Sequence, residues 1–342
     1  MKHTVNWGII GLGNIALEFA KSFINLDNAD LIAVASTCHK KLSQFRQEFN
    51  IKNEKLYGNY EKLLADKDID IIYIALPNTF HFDWVLKSVE KNKNILVEKP
   101  AFLNLKEANI IFNHQNYNNI FFNEGFMYRY HPQILEVIKI IKSKIIGKPI
   151  SMESSFGINL INKKKFFGLI RKRIDKNNRL FNKKLGGGAI FDLGCYTTSM
   201  SLLIASTIDN VNIDNFKVSE IKTEYLYPDI ETHSEAKINF DEKFISEIKT
   251  SFKENLYKTI ISCEEGKIII ENTWNAKTTW IELVGKVNKK INFKSLKNNY
   301  SLEIEQISKD ILENKKEVSF PGLSNKDIII NTKIIENWKN EK

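Results

Sequence analysis

Over the first 125 residues, short apolar runs alternate with amphipathic stretches. TVNWGII (4–10), LIAVAS (31–36), IDIIYIAL (69–76), NILVEK (94–99) and NIFFNEGF (119–126) each read as a strand. Their near-continuous apolar character is that of strands covered on both faces. The amphipathic stretches between them supply the cover. Ile15, Phe19 and Phe23 recur four residues apart, as do Ala16, Ala20 and Ile24, which together make one helix face. Strands separated by helices predict an α/β domain with a doubly wound parallel sheet.

From about residue 150 the rhythm shortens to two. ETHSEAKINF (231–240) places Thr232, Ser234, Ala236, Ile238 and Phe240 on one face. KFISEIKTSF (243–252) repeats the pattern with Phe244, Ile248 and Phe252, and DEK (241–243) reads as the turn between them. Strands continue through YKTIISC, GKIIIEN and TTWIELV. This half predicts a C-terminal α+β domain with a large, open, mainly antiparallel sheet, one face packed and one exposed. An open sheet of that size needs its remaining face or edges covered, and a second copy of the chain commonly does so; the expectation is a homo-oligomer, dimer or tetramer. SNKDIIINTKIIENWKN (324–340) closes as a helix with Ser324 at its N-cap. The change of rhythm predicts two domains, 1–125 and 126–342, which suits a chain of 342 residues.

Hydrophobic residues at 43% and charged residues at 27% are a globular balance and exclude wholesale disorder. No apolar run approaches the ~18 residues that a membrane span needs, so no membrane partner is expected. The start, MKHTVNWGIIGLGN, shows neither the apolar stretch nor the cleavage site of a signal peptide. Cys38, Cys195 and Cys263 form no CxxC and cannot all pair, which points to the reducing cytoplasm; Cys195 reads as a small buried packer. No His/Cys cluster has zinc spacing, and no metal is expected. The net charge of +9 is uneven: residues 163–184 hold ten Lys and Arg against one Asp. A nucleic-acid surface would spread its basic residues along a face, so no nucleic-acid partner is expected. One charged flap suits a local anion, such as a phosphorylated or nucleotide-linked sugar, or plain solvation.

Candidate chemistry begins at GIIGLGNIA (8–16). Gly11 permits a tight turn and Gly13 lets a pyrophosphate approach the backbone. Asn14 and Ile15 open the helix whose N-terminus offers N–H donors, and Ala16 permits close helix–strand contact. Directly after a strand and before a helix, this reads as a dinucleotide-binding Rossmann loop rather than an incidental glycine turn. About 20 residues on, where an NAD site shows a carboxylate, the chain has AVASTCHKK. Ser36 and Thr37 offer hydroxyls, and Lys40 and Lys41 offer charge, which favours NADP; the absence of Arg leaves NAD open. Lys99 ends an apolar strand before Pro100, where ligands of such sheets bind. It reads either as an ammonium at the cofactor crevice or as a solvated strand-end lysine. Gly186–Gly188 run into a helix that carries Asp192 and Tyr196, four residues apart and so on one face. They read as a pair acting on one hydroxyl, or as a capping aspartate and a core tyrosine. The three glycines are expected to let backbone pass close to substrate and nicotinamide.

In that order, GLGNIA, ALPNTFH, VEKP, EGFMYRYHP and GGGAIFDLGCY resemble the Gfo/Idh/MocA family, which includes glucose–fructose oxidoreductase and inositol dehydrogenase. The motifs reach to about residue 200, and the later sheet fits the family's C-terminal domain by pattern alone. EGFMYRYHPQ together with NNRL and GGGAIFDLGCY is most similar to the branch of NADP-dependent aldose (xylose-type) and trans-dihydrodiol dehydrogenases. The resemblance implies that Lys99 is catalytic, that the Lys99–Pro100 bond is cis, and that Asp192 lies at the substrate. Inositol-type members carry His where this chain has Tyr196. It also implies cofactor contacts from Leu76, Pro77, Asn78, His81, Glu98 and Arg129. Arg129 stays open between a site arginine and a surface ion pair, His81 between a cofactor contact and a structural histidine, and Glu98 between positioning Lys99 and facing solvent.

These residues make the expected activity an NAD(P)-dependent transfer of hydride between nicotinamide and a carbohydrate hydroxyl or carbonyl. A phenol's ordinary pKa of ~10 is too high for an efficient base near neutrality, and an ammonium such as Lys99 beside Tyr196 lowers it. Asp192 would orient the hydroxyl. The alternatives are a trans-dihydrodiol-type dehydrogenase using the same residues, and a protein that senses NAD(P) without turnover.

Overall fold

The apolar runs become the strands of one parallel sheet. In a computed structural model, which describes residues 3–162, 164–165, 170–171, 175, 178–227, 229–274, 278–295 and 297–340, these are β1 (Val5–Ile10), β2 (Ala29–Ala35), β3 (Leu56–Tyr57), β4 (Ile71–Ile74), β5 (Asn94–Glu98) and β6 (Phe122–Gly125). They lie in the order β3-β2-β1-β4-β5-β6, every neighbouring pair parallel. The order reverses between β1 and β4, the place where doubly wound sheets bind ligands beyond the strands' carboxyl ends. All four residues of β4 are buried, as expected of a strand covered on both faces.

Crossovers include α1 (Asn14–Lys21), α2 (His39–Phe49), α3 (Tyr60–Leu64), α4 (His81–Glu90) and α5 (Leu105–Phe112). Helix α1 buries Ala16, Phe19 and Ala20 and stops at Lys21, which leaves Ile24 exposed rather than on the packed face. Phe19 stacks on Tyr73 with ring centroids 3.7 Å apart.

The chain divides into two compact units, Met1–Tyr130 with Lys297–Ile328, and His131–Leu296 with Ile329–Lys342. Helix α8 (Asn299–Leu312) therefore packs in the first unit, far along the chain from the strands it covers. Its Ser308 Oγ accepts from Trp7 Nε1 at 3.0 Å, and Ile304 and Ile307 join the core with Trp7 and Phe19.

The second unit starts with α6 (Pro132–Ser143) and β7 (Pro149–Gly157). After a short pair, β8 (Lys164–Lys165) with β9 (Ile170–Arg171), come α7 (Cys195–Ser206), β10 (Phe216–Tyr227), β11 (Ile230–Phe240), β12 (Phe244–Ser251), β13 (Thr259–Cys263), β14 (Gly266–Ile270), β15 (Thr278–Gly285) and β16 (Lys289–Lys294). The main sheet runs β10-β11-β12-β7-β13-β14-β15-β16 and is antiparallel except where β12 meets β7. Thr232, Ser234, Ala236, Ile238 and Phe240 are all buried, as the period of two requires, and Asp241–Lys243 form the turn.

The stretch Lys183–Ser206, helical without a break only from Ile190 onward, is apolar and long enough, by composition, to cross a membrane, but its apolar window is wholly buried and its helical part is a core helix. Its hydroxyls are satisfied inside: Thr197 donates to Gly194 O, Thr198 to Cys195 O and Ser201 to Thr197 O. Cys195 is fully buried, a packing residue. The opposite face of the sheet carries cross-strand pairs of opposite charge, Lys237 facing Glu247 and Glu235 facing Lys249. The chain closes with α9 (Asn325–Asn340), whose Asp327 N–H donates to Ser324 Oγ at 3.1 Å, the expected cap.

Candidate active site

In the first unit, the turn after β1 is shaped by Gly11, at φ +88°; a Cβ there would lie 2.7 Å from the Ala75 carbonyl oxygen. Beside Gly13 the space is open, with no atom within 4 Å of where a Cβ would stand. Helix α1 begins at Asn14 with no side-chain cap and no acidic residue in its first turn, and Ile15 is 40% exposed. The first N–H groups of a helix have no acceptor within it and no N-cap side chain serves them here, and Thr79 Oγ1 is buried without a partner. These features fit a bound dinucleotide pyrophosphate. At the end of β2, Ser36 is buried and its Oγ accepts from the Cys38 N–H at 3.1 Å, while Thr37 and Lys41 are exposed. Helix α2 likewise starts without a side-chain cap or an early acidic residue.

Beyond β4, Leu76 and Pro77 are half-buried and Asn78 is buried in the turn Asn78–Phe80. His81 is fully buried, with Nδ1 2.8 Å from Pro100 O and Nε2 2.8 Å from Leu76 O. The histidine therefore joins the loop after β4 to the loop after β5. Lys99, half-buried, follows β5 directly, and its bond to Pro100 is cis. Glu98 does not face solvent: it is buried and accepts from the Tyr73 hydroxyl. Burial, with Glu98 next, holds that phenol well above its ordinary pKa. Arg129 is no surface ion pair either; it is 1% exposed and donates through Nη1 to Pro321 O at 3.0 Å.

In the second unit, Asp192 and Tyr196 sit on the buried helical run, but Ile190–Gly194 is a π-turn rather than α-helix. The wider turn alters the simple four-residue face, and π-turns are frequent at functional sites. Asp192 Oδ1 accepts from Arg179 Nη2 at 3.0 Å. Tyr196 is 5% exposed and lies edge-on to Phe156 and Trp274, with ring centroids 5.1 and 5.8 Å away. Arg179, Phe156 and Trp274 are functional candidates that sequence reasoning passed over. Arg179 had a signal, thirteen residues ahead of Asp192 in the NNRL segment; the two aromatics had none. Ten of the 22 residues of the basic segment 163–184, Arg173 included, lie outside the described residues.

The glycines of GGG make room for the protein itself. A Cβ on Gly187 would stand 2.7 Å from the Leu180 carbonyl oxygen, and one on Gly188, at φ +117°, would overlap the Glu231 carboxylate. Glu231 is buried, pairs with Lys339, and Lys339 also lies 4.2 Å from the centroid of the Phe191 ring. Gly188→Ala combines backbone strain with overlap on a buried carboxylate and is expected to destabilise the chain by about 3 kcal/mol. Urea unfolding of the variant measures it; a midpoint equal to the parent's contradicts the assignment. Among the described residues, no group of three His, Cys, Asp or Glu side chains is placed to hold a metal.

A Rossmann unit with an open glycine loop, joined to an α+β unit with a glycine-led aspartate and tyrosine, defines a class that the comparisons identify. Residues 5–124 match the oxidoreductase family with an NAD-binding Rossmann fold, Gfo/Idh/MocA, and residues 134–269 match that family's C-terminal domain. The chain belongs to the Gfo/Idh/MocA family. It is 32% identical over 200 residues to trans-1,2-dihydrobenzene-1,2-diol dehydrogenase of Xenopus tropicalis, covering 58% of this chain and 56% of that protein. It is 31% identical over 205 residues to D-xylose 1-dehydrogenase (NADP(+)) 2 of Haloferax volcanii, covering 60% and 58%. The matches thus span a little over half the length of these curated relatives. The fold is also that of aldose-aldose oxidoreductase from Caulobacter crescentus, at TM-score 0.83 and 17% identity over 98% of this chain and 96% of that one. KijD10, a 3-ketoreductase from Actinomadura kijaniata solved with NADP and TDP-benzene, gives TM-score 0.81 and 17% identity over 97% and 96%.

Proposed function

We propose that the chain is an NAD(P)-dependent oxidoreductase that interconverts a carbohydrate hydroxyl and its carbonyl. The observation that carries this reading is the placing of Lys99 at the carboxyl end of β5, in the same unit as the uncapped loop at Gly11 and Gly13. The contacts proposed for the cofactor are Gly11, Gly13, Asn14 and Ile15 at the pyrophosphate, and Ser36, Thr37 and Lys41 at the ribose. Leu76, Pro77, Asn78, His81, Glu98, Lys99 and Arg129 are proposed around the nicotinamide. The lack of an acidic residue in the first turn of α2 supports NADP over NAD. Nicotinamide supplies or accepts the hydride when bound. Lys99 and Tyr196 hold and move the proton of the substrate hydroxyl, and an ionised Asp192, paired with Arg179, accepts a hydrogen bond from that hydroxyl and orients it.

Phe156 and Trp274 beside Tyr196 would offer flat apolar walls to the C–H faces of a sugar ring. The same walls suit a cyclic vicinal diol, and the likeness to a dihydrodiol dehydrogenase makes that the second reading. The finer proposals are a cytoplasmic location, supported by three free cysteines, and a homo-oligomer whose partner covers the charged sheet face.

A panel of D-xylose, other aldoses, polyols, a nucleotide sugar and a trans-dihydrodiol, each with NADP and NAD, tests the reading by reduced-nicotinamide absorbance. Turnover of a sugar, faster with NADP, is the expected result. Turnover of the dihydrodiol alone selects the second reading. Cofactor binding with no turnover of any member leaves a cofactor sensor and refutes the enzyme.

A further inference from the structure

Pro100 and Ala101 share one peptide group, and buried ionisable side chains of the first unit hold both its polar atoms. The Pro100 carbonyl oxygen lies 2.8 Å from His81 Nδ1, and the Ala101 N–H donates to Glu124 Oε1 at 2.9 Å. His81 is 0% exposed and Glu124 3%. Neither side chain comes from the segment it holds: His81 opens α4, and Glu124 lies on β6 opposite Val97 of β5. The sheet ladder of β5 ends with Glu98 opposite Gly125, so beyond that point the chain is fixed by side chains. The peptide group in question starts one residue past Lys99.

His81 makes a second bond, from Nε2 to the Leu76 carbonyl oxygen at 2.8 Å. Carbonyl oxygens only accept, so the ring makes both bonds at once when it carries two protons. A charged donor makes each bond stronger than a neutral one. Glu124 keeps Oε2 buried without a partner. Burial pushes its carboxyl up to about 7, against the lowering by the Ala101 N–H, Arg129 and Lys99, while Glu98 raises it further.

We propose that His81 and Glu124 are positioning residues for Lys99: gripping the Pro100–Ala101 peptide group at both ends, they fix the direction in which the lysine leaves the sheet and so where its ammonium lies. This rests on the reading of Lys99 as the proton-transferring residue. A small displacement of such a group lowers turnover without weakening cofactor binding.

Two arms on the full chain test it. In nitrogen NMR of histidine-labelled protein, with His81 assigned through His81→Asn, both ring nitrogens are expected to be protonated at pH 7; a singly protonated ring overturns the clamp, whether or not any sugar turns over. In kinetics with NADP and D-xylose, or the sugar that the panel turns over fastest, His81→Asn and Glu124→Ala are expected to lower kcat about tenfold or more, with both KM values moving less than about threefold. Glu124→Gln, which keeps an acceptor for the Ala101 N–H, is expected to restore most of the rate and to lose a kcat inflection near pH 7. Unchanged kcat in both His81→Asn and Glu124→Ala overturns the proposal. A wild type inert to every substrate counts instead against the oxidoreductase reading and leaves the NMR arm to decide the clamp.

Discussion

Lys99→Met lowers turnover about 10³-fold, while NADPH binds the variant as it binds the parent. Methionine keeps the length and most of the apolar stem of lysine and removes only the ammonium. Lys99 is one of many proposed cofactor contacts, and most of the cofactor's proposed hold lies elsewhere: in the open space at Gly13, in the first turn of α1 and in the residues after β2. Lys99 itself stands at the end of β5, where a half-buried ammonium can give a proton to a forming alkoxide or stabilise a phenolate. Loss of chemistry with retained binding is the signature of a group needed in the transition state rather than in the ground state. Protein fluorescence quenching by NADPH and steady-state rates measure the two separately. A variant that turns over at the parental rate returns Lys99 to the solvated strand-end lysine that its position alone also permits.

Glu303→Met stabilises the protein at neutral pH and flattens its stability between pH 4.5 and 8. Glu303 lies on α8, is 0% exposed, and neither carboxylate oxygen has a hydrogen-bond partner. Burial, with Glu98 next, raises its pKa well above 4.5. The folded state therefore keeps a proton that the unfolded chain releases on passing pH 4.5. Between the unfolded and folded pKa values the native state binds more protons than the unfolded state, so stability falls as pH rises through that window. Below it the penalty is absent. Glu124, raised to about 7, acts in the same direction over its own window and stays in place as a residual slope in the variant. Methionine fills a similar volume without orphaned oxygens, and the expected gain at pH 7.5 is about 1–3 kcal/mol. Thermal unfolding across the pH range measures it; a parent whose melting temperature does not fall from pH 5 to 8 contradicts a raised Glu303.

Much of the first unit was legible because strands covered on both faces must be apolar throughout, as in IIYI of β4. The glycine loop was legible because its turn and its phosphate approach both forbid side chains. The central strand β7 was not. Its inward positions are Met152, Ser154 and Phe156, and Ser154 is buried by pairing its hydroxyl with that of Thr259 at 2.9 Å, so the alternation carries little hydrophobic signal. Helix α8 was missed for a related reason. A buried Glu303 breaks the apolar face, and nothing in a linear pattern tells which unit a late segment rejoins.

At the site, GGG has a packing reason that the sequence did not show: Glu231 and the Arg179–Leu180 backbone stand where side chains on Gly188 and Gly187 would fall. The four-residue spacing of Asp192 and Tyr196 could not announce a π-turn, which leaves no trace in hydrophobic period. His81 and Arg129 show the same limit. Each bonds backbone carbonyls brought near by folding, Arg129 to Pro321 and His81 to Pro100, and a carbonyl has no identity that a sequence can flag.

The proposed chemistry asks Lys99 and Tyr196 to serve one hydroxyl together. Pre-steady-state hydride transfer in Lys99→Met, Tyr196→Phe and the double variant tests this most directly. Groups that act as a unit lose their effect once, so the double variant should be no slower than the slower single one. Losses that multiply would mean that the two residues act independently, and the shared acid/base role would fall.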